Sequence, residues 1–344
     1  STPSNSSAAS DVYKRQIMYD VITIGSAFRD VYVFSKKFRV LRDSRAVTGE
    51  VECFAFGTKI ELDDILFEIG GGATNTAYTF SRQGLKVGCL SRIGSDGAGE
   101  EVRKFLQKAG IADLLAVDKK QRTAHSVIFL AKTGERTILV YRGAAHYFKT
   151  DDVSLKKIKN TRWLYITSLA GNVNLLEKIV GFAKKQGIKV ALNPGKLEIR
   201  TKKGRLLRML GNIDILLLNR EEAAEITRRS YSDNKGIIKD LHRLSGSGVV
   251  VVTEGEQGSL VALKDDLYRV IIKPVKAVDT TGAGDAFGSG FVAAYIKNKG
   301  NVKKAIQLGC ANAASVVQKI GAKHGLLAKG QMSKRLRLRL LKIG

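Results

Sequence analysis

From residue 160 onward, short apolar runs alternate with segments of helical period, and that rhythm limits the fold more than any other feature. The runs are Trp163 to Thr167, Lys189 to Leu192, Ile213 to Leu218 and Gly248 to Thr253. Between them Val173 to Gln186, Glu221 to Thr227 and Lys235 to Leu244 have helical spacing. Such alternation predicts an α/β fold, with a mostly parallel sheet covered by helices on both faces. Val21-Ile22-Thr23-Ile24-Gly25 reads as one more buried strand, Lys86 to Ile93 as another, and Gly97 to Ala109 as a helix. Ser259 to Leu263 and Leu267 to Ile272 predict a hairpin around Lys264-Asp265-Asp266. Ala283 to Lys297 and Val302 to Ile320 predict two closing helices, the second with an apolar stripe.

A second kind of pattern interrupts the first. Residues 31–67 lack helical period, and Val31 to Phe34, Val51 to Phe56 and Ile65 to Ile69 read as strands projecting from the main sheet. Ala124 to Leu130 and Arg136 to Tyr141 form a further β-rich piece around Lys132-Thr133-Gly134-Glu135. Together, residues 31–67 and 124–142 predict a small β-strand lid over one end of the sheet, a device that excludes water from a reaction.

Residues 1–17, rich in Ser, Ala and Asn near the start, have no apolar core for a secretory signal and read as a disordered or extraneous leader. Residues 18–328 form the expected domain, and 329–344 a basic tail. No apolar run approaches the ~20 residues of a membrane span. Three widely spaced cysteines and four histidines without ligand spacing fit a cytoplasmic protein without a disulfide scaffold or zinc site. The net charge of +26 is compatible with nucleic-acid binding or with a field that attracts small anions. The basic residues are scattered and no nucleic-acid motif accompanies them, so a nucleic-acid partner is not expected.

The stretch with the most chemistry is Asp279-Thr280-Thr281-Gly282-Ala283-Gly284-Asp285. A glycine turn opening a helix gathers backbone N–H groups and partial positive charge on one point, which suits phosphate. Asp285 there either faces a hydroxyl about to attack that phosphate or is simply a first-turn acid. Gly70-Gly71-Gly72-Ala73-Thr74-Asn75 opens another helix and allows a ligand close to the backbone. Asp30, just beyond the first strand, either accepts hydrogen bonds from substrate hydroxyls or is a solvent-facing loop residue. Asn219-Arg220-Glu221-Glu222 either holds the water shell of Mg2+ or is a capping box, and both can hold together. Thr253-Glu254-Gly255-Glu256-Gln257-Gly258 follows the next strand and either admits a nucleotide phosphate or is a plain turn. There is no P-loop, no dinucleotide G-x-G-x-x-G after the first strand, no protein-kinase motif and no nucleophile elbow.

Over roughly residues 18–325 the chain resembles the ribokinase-like (PfkB) family of carbohydrate and nucleoside kinases. Gly70 to Ala77, with Gly84 and Gly94, is similar to the family's N-terminal motif, and Asp279 to Val292 to its C-terminal motif. The resemblance implies a three-layer α/β/α domain with a small β-lid, and phosphoryl transfer from ATP to a hydroxyl. It implies Asp285 as the base and Gly282, Ala283 and Gly284 as the anion hole. Asp30, Gly71, Gly72 and Asn75 match the acceptor site. Asn219, Thr253, Gly255, Gly258 and Asn312 match nucleotide-binding positions. Glu222 matches a residue tied to Mg2+ through water, and Asp279 and Thr281 the region where many members bind K+. A lid-mediated homodimer is common in the family.

Two departures bear on the acceptor. Ribokinase itself has a lysine after the glycine pair, where this chain has Gly72. It also has a glutamate at the end of a middle strand, where this chain has Thr167-Ser168-Leu169. Both argue against ribose, and the longer insertion at 36–64 points to the lid as the seat of specificity. Arg142 either binds a substrate phosphate or is an exposed, salt-bridged arginine.

Overall fold

The structure, a computed structural model, describes residues 18–46, 49–130, 136–201, 203–246, 248–264, 266–331 and 338–343. The leader at 1–17 and the turn at Lys132 to Glu135 lie outside these residues.

Ten strands make one sheet. In spatial order they are Leu338–Lys342, Asp266–Ile272, Ser259–Leu263, Val249–Thr253, Ile215–Asn219, Lys189–Leu192, Thr161–Ile166, Tyr19–Ile24, Val87–Leu90 and Ala112–Asp113. From Val249–Thr253 onward neighbours pair in parallel, whereas the first three strands join antiparallel. Successive side chains of the parallel strands enter opposite cores. Ile22, Ile24, Leu164, Ile166, Leu216, Leu218, Val250 and Val252 pack with the helices Val173–Gln186 and Asn234–Ser245. Val21, Val87, Tyr165, Ile215, Leu217, Val249 and Val251 pack with the helices Gly72–Arg82, Gly97–Lys108, Ala283–Lys297 and Val302–Val316. A strand buried on both faces needs an apolar residue at every position, which is why these segments read as unbroken runs. The result is the expected three-layer α/β/α arrangement.

The lid is a four-stranded sheet in the order Arg136–Tyr141, Ala124–Leu130, Phe28–Phe34, Asp64–Gly70. It differs from expectation in one strand. Glu50–Cys53 pairs with Arg39–Arg42 in a ribbon of its own. That ribbon leans on the lid through Phe38, Phe54 and Phe129, whose ring centroids lie 5.3–5.7 Å apart.

Other boundaries also move. Lys86 to Ile93 is two strands, Val87–Leu90 in the main sheet and Arg92–Gly94 paired with Ala116–Asp118. The last helix ends at Val316, short of Ile320, because the Val317 carbonyl is taken by the N–H groups of Val278 at 2.7 Å and Asp279 at 3.2 Å. The domain does not stop at 328: Leu338–Lys342 is the edge strand of the main sheet, in register with Tyr268 to Ile272. Among the described residues the three cysteines are free, and no helix is long and apolar enough to cross a membrane.

Candidate active site

The helix Ala283–Lys297 is capped by Gly282 at φ 75°, a left-handed conformation that costs an L side chain about 1–2 kcal/mol. A Cβ there would also stand 2.4 Å from that of Ala322. The Ala286 N–H bonds the Gly282 carbonyl. The Ala283 N–H, expected in the anion hole, instead donates to the Thr280 carbonyl at 3.3 Å, whereas among the described residues no carbonyl accepts from the N–H groups of Gly284 and Asp285. Two free donors at the positive end of a 15-residue helix are placed to receive an anion.

Asp285 stands in the same turn. Its Oδ2 accepts a 2.8 Å hydrogen bond from Nδ2 of Asn75, 210 residues earlier in the chain. Asn75 sits on the helix Gly72–Arg82, which packs beside Ala283–Lys297. Asn75 Oδ1 in turn accepts from Nζ of Lys323 at 2.5 Å. Lys323 also donates to the Ile69 carbonyl and reaches Thr74 Oγ1 at 3.5 Å, and its Nζ lies 5.1 Å from the centre of the Phe105 ring. Burial raises Asp285 above the ordinary carboxylate range, opposed by the Asn75 bond and the Lys323 charge. Lys323 is 5% exposed, and burial pushes its ammonium down to about 8. The Tyr165 hydroxyl is buried without a partner under this helix, and a Cβ at Gly288 would come within 2.3 Å of it.

Asp30 is not in a loop. It lies on the lid strand Phe28–Phe34, 7% exposed, and accepts from Ser126 Oγ. Burial raises its carboxyl above the usual range, opposed by the Ser126 bond and the Lys323 charge. Cross-strand register sets Glu68, Asp30, Ser126 and Val140 in one row and Tyr32, Ile128 and Ile138 in the next, on one face. The glycine run is built against these groups. A Cβ on Gly70 would fall 1.7 Å from Asp30 Oδ2, and Gly71 has φ 95°. One on Gly72 would meet Thr167 Oγ1 at 2.6 Å. The two departures at Gly72 and Thr167 are therefore touching neighbours. The lid also reaches the anion cradle, since Arg136 donates to Thr280 Oγ1.

The expected nucleotide side is built differently. Asn219 caps Arg220–Thr227: its Oδ1 accepts from the Glu222 N–H and its N–H donates to Glu222 Oε2, both at 2.9 Å. The capping reading therefore holds. Burial raises Glu222, whose Oε1 is not used by the cap; a buried carboxylate with one open oxygen fits a water-mediated hold on Mg2+. Thr253 Oγ1 reaches the Leu218 carbonyl at 3.4 Å. Gly255, at φ 59°, opens a short 3-10 turn, and a Cβ on Gly258 would come within 2.0 Å of the Val270 carbonyl. Glu254, between them, is held by Arg220 at 3.5 Å and by Arg269. Asn312 is a correction. It is fully buried, donates to the Ala286 carbonyl at 2.7 Å and accepts from the Leu327 N–H at 2.9 Å, so its amide fastens two helices and is closed to a nucleotide.

Asp279 is 1% exposed and accepts from the N–H groups of Thr281 at 2.8 Å and Gly321 at 2.9 Å. Beside it the Tyr32 hydroxyl and Thr281 Oγ1 are buried facing one another, with no other partner among the described residues. This set of oxygens fits a monovalent cation better than a divalent one, having a single carboxylate. Arg142 makes no ion pair among the described residues and lines a cavity of about 50 Å³ with Gly25, Ser26, His146 and Ser168. A larger cavity of about 610 Å³, bordered by Arg92, Lys120, His146 and Lys149, includes none of the expected site residues.

Sequence reasoning missed Lys323, Ser126, Tyr32 and Arg136. For Lys323 the available signal was its bracket of glycines, Gly321 and Gly325. Gly321 has φ 85°, and a Cβ on Gly325 would meet the Ser315 carbonyl at 2.2 Å.

Residues 18–329 match the family model described as pfkB family carbohydrate kinase. A nucleoside kinase of Methanothermobacter thermautotrophicus is 30% identical over 269 residues, 77% of this chain and 84% of that protein. A ribokinase of Haemophilus influenzae is 32% identical over 266 residues, 75% and 83% of the two chains. Among solved structures, an E. coli protein provisionally named ribokinase II, in complex with ATP and Mg2+, superposes with a TM-score of 0.74 at 21% identity. The match covers 90% of this chain and 96% of that one, and it shows a shared fold.

Proposed function

The chain belongs to the pfkB family of carbohydrate kinases, phosphotransferases with a hydroxyl acceptor, and from that premise we propose that it moves the γ-phosphate of ATP to a small sugar or nucleoside. The observation that carries this reading is the Asn75–Asp285 contact at the head of a helix with free N–H groups. Asp285 Oδ2 is held by the amide, which leaves Oδ1 for the acceptor hydroxyl. A carboxylate whose pKa is raised by burial binds a proton more readily than an exposed one. As the hydroxyl oxygen attacks the γ-phosphorus, the N–H groups of Gly284 and Asp285 meet the charge that gathers on the transferring group. Asp30, Gly71 and Gly72 line the acceptor's path, and the lid excludes water. Thr253, Gly255 and Gly258 admit the nucleotide. Bound Mg2+ would neutralise phosphate charge, with Glu222 holding its water shell, and Asp279 with Thr281 would hold K+.

A nucleoside acceptor is favoured by one feature. Ile138 and Val140, 39% and 48% exposed, share the lid face with Asp30 and offer apolar contact to a base. On the opposite face Ile65, Phe67, Leu139 and Tyr141 are exposed, and there we place a second copy of the chain. Free cysteines and ATP dependence suit a cytoplasmic setting. A nucleotide-consumption assay over sugars, sugar phosphates and nucleosides identifies the acceptor. Asp285→Asn should lower kcat by about 10²–10⁴; turnover near that of the unaltered protein would sink the reading.

A further inference from the structure

We infer that Lys323 is a positioning residue for phosphoryl transfer: acting through the Asn75 amide, its charge keeps the Asp285 carboxylate aimed and ionised. The inference rests on Asp285 as the base. Three observations support it, the first being donor count. An ammonium has three N–H groups, and the Ile69 carbonyl, Asn75 Oδ1 and Thr74 Oγ1 stand ready for all three. None remains for an acceptor molecule, so Lys323 is not a substrate ligand.

The second observation is orientation. A protonated lysine only donates, so Asn75 turns Oδ1 toward it and Nδ2 toward Asp285. Without the ammonium the amide is free to rotate its oxygen toward the carboxylate, which would repel it. The third is cost. A buried ammonium with no direct carboxylate partner is destabilising, and such groups gather where the charge has a use. The charged and titratable groups around it come from every neighbouring element: Asp30 and Glu68 from the lid, Asp285 from the helix and Cys89 from the main sheet. His324 pairs with Glu68 at 2.9 Å, and His125 acts on Asp30. No hydrogen bond joins Lys323 to any of these carboxylates, so its field acts on all of them.

In the transfer step the acceptor oxygen bonds to the γ-phosphorus and the bond from phosphorus to the ADP oxygen breaks. The hydroxyl proton moves to Asp285 Oδ1. Lys323 keeps its own protons throughout. When pH rises through the Lys323 value of about 8, the ammonium is lost, Asn75 is released and kcat falls. When pH falls through the raised Asp285 value, the base is lost and kcat falls again.

The test is the pH profile of kcat for the unaltered protein, Lys323→Met and Lys323→Arg, with the best acceptor from the panel above. Lys323→Met should lower kcat at least tenfold at pH 7 with KM for the acceptor nearly unchanged. It should also lose the alkaline limb near pH 8 and move the acid limb up by about one pH unit. Lys323→Arg should restore the acid limb, because it keeps the charge. A Lys323→Met protein with lower Tm but an unaltered profile overturns the inference, as does one with raised acceptor KM and normal kcat. Should Lys323→Met not fold, a profile of the unaltered protein that stays flat from pH 7 to 10 overturns it as well. A fully active Asp285→Asn would instead remove the base assignment itself.

Discussion

The two halves of the proposed site draw their contacts from different distances along the chain. On the acceptor side, Asn75 meets Asp285 across 210 residues and Lys323 across 248, and Lys323 reaches Ile69 across 254. On the nucleotide side, Asn219 meets Glu222 across 3 residues. The first half exists only once the domain has closed, and its polar groups are held by one another at the junction of two helices, the lid and the last loop. The second half centres on a local helix cap, with Glu254 tied to Arg220 and Gly258 packed on the Val270 carbonyl beside it. Long-range contacts hold charged groups away from water, which tunes them; local contacts satisfy backbone groups that need no tuning.

Asn75→Ala should do more damage than Gly258→Ala or Glu222→Ala. It unties Lys323 and Asp285 together, so kcat should fall about a hundredfold. Stability should drop by about 1–3 kcal/mol, as expected when a buried charged group loses a hydrogen bond. Steady-state kinetics with denaturant melts would check both, and a purely kinetic effect would break the picture of a shared knot. Gly258→Ala should come next. Its φ of 95° and the 2.0 Å approach to the Val270 carbonyl should cost about 2 kcal/mol or more, with KM for ATP rising and kcat largely kept. A kcat loss as deep as that of Asn75→Ala would erase the distinction between halves. Glu222→Ala should be mildest for stability, about 1 kcal/mol from one lost cap bond, with a raised Mg2+ requirement as its kinetic mark. Unchanged Mg2+ dependence would leave Glu222 as a cap alone.

The same contrast explains what could be read from the chain. Ile215–Asn219 and Val249–Thr253 were legible because strands buried on both faces are continuous apolar runs, and Asn219 with Glu222 because caps are local spacing. Asp285 and Asn75 were legible as motif members, though not as partners. Lys323 was not: the chain has 58 lysines and arginines, and the flanking Gly321 and Gly325 are the one local mark on this one. Its environment is supplied by Ile69, Thr74 and Asn75, from a distant glycine turn. Asn312 misled for the complementary reason, since a polar residue in a helix looks available until Ala286 and Leu327 are seen to occupy it. Leu338–Lys342 read as a charged tail because an edge strand has only one neighbour and needs fewer apolar residues. For Asp30 a loop position stays open in the sequence because the link from the first strand into the lid is only Gly25, Ser26 and Ala27, and nothing in it marks where the next strand begins.

The wedge of Thr167 between Gly25 and Gly72 has a further consequence. A Cβ on either glycine would meet its hydroxyl, at 1.9 and 2.6 Å. A lysine at position 72 would therefore need the side chain at 167 to turn away or shrink, and a smaller residue there leaves a hole until the lysine arrives. Exchanging the residue at 72 is thus a change of two positions in order rather than of one alone.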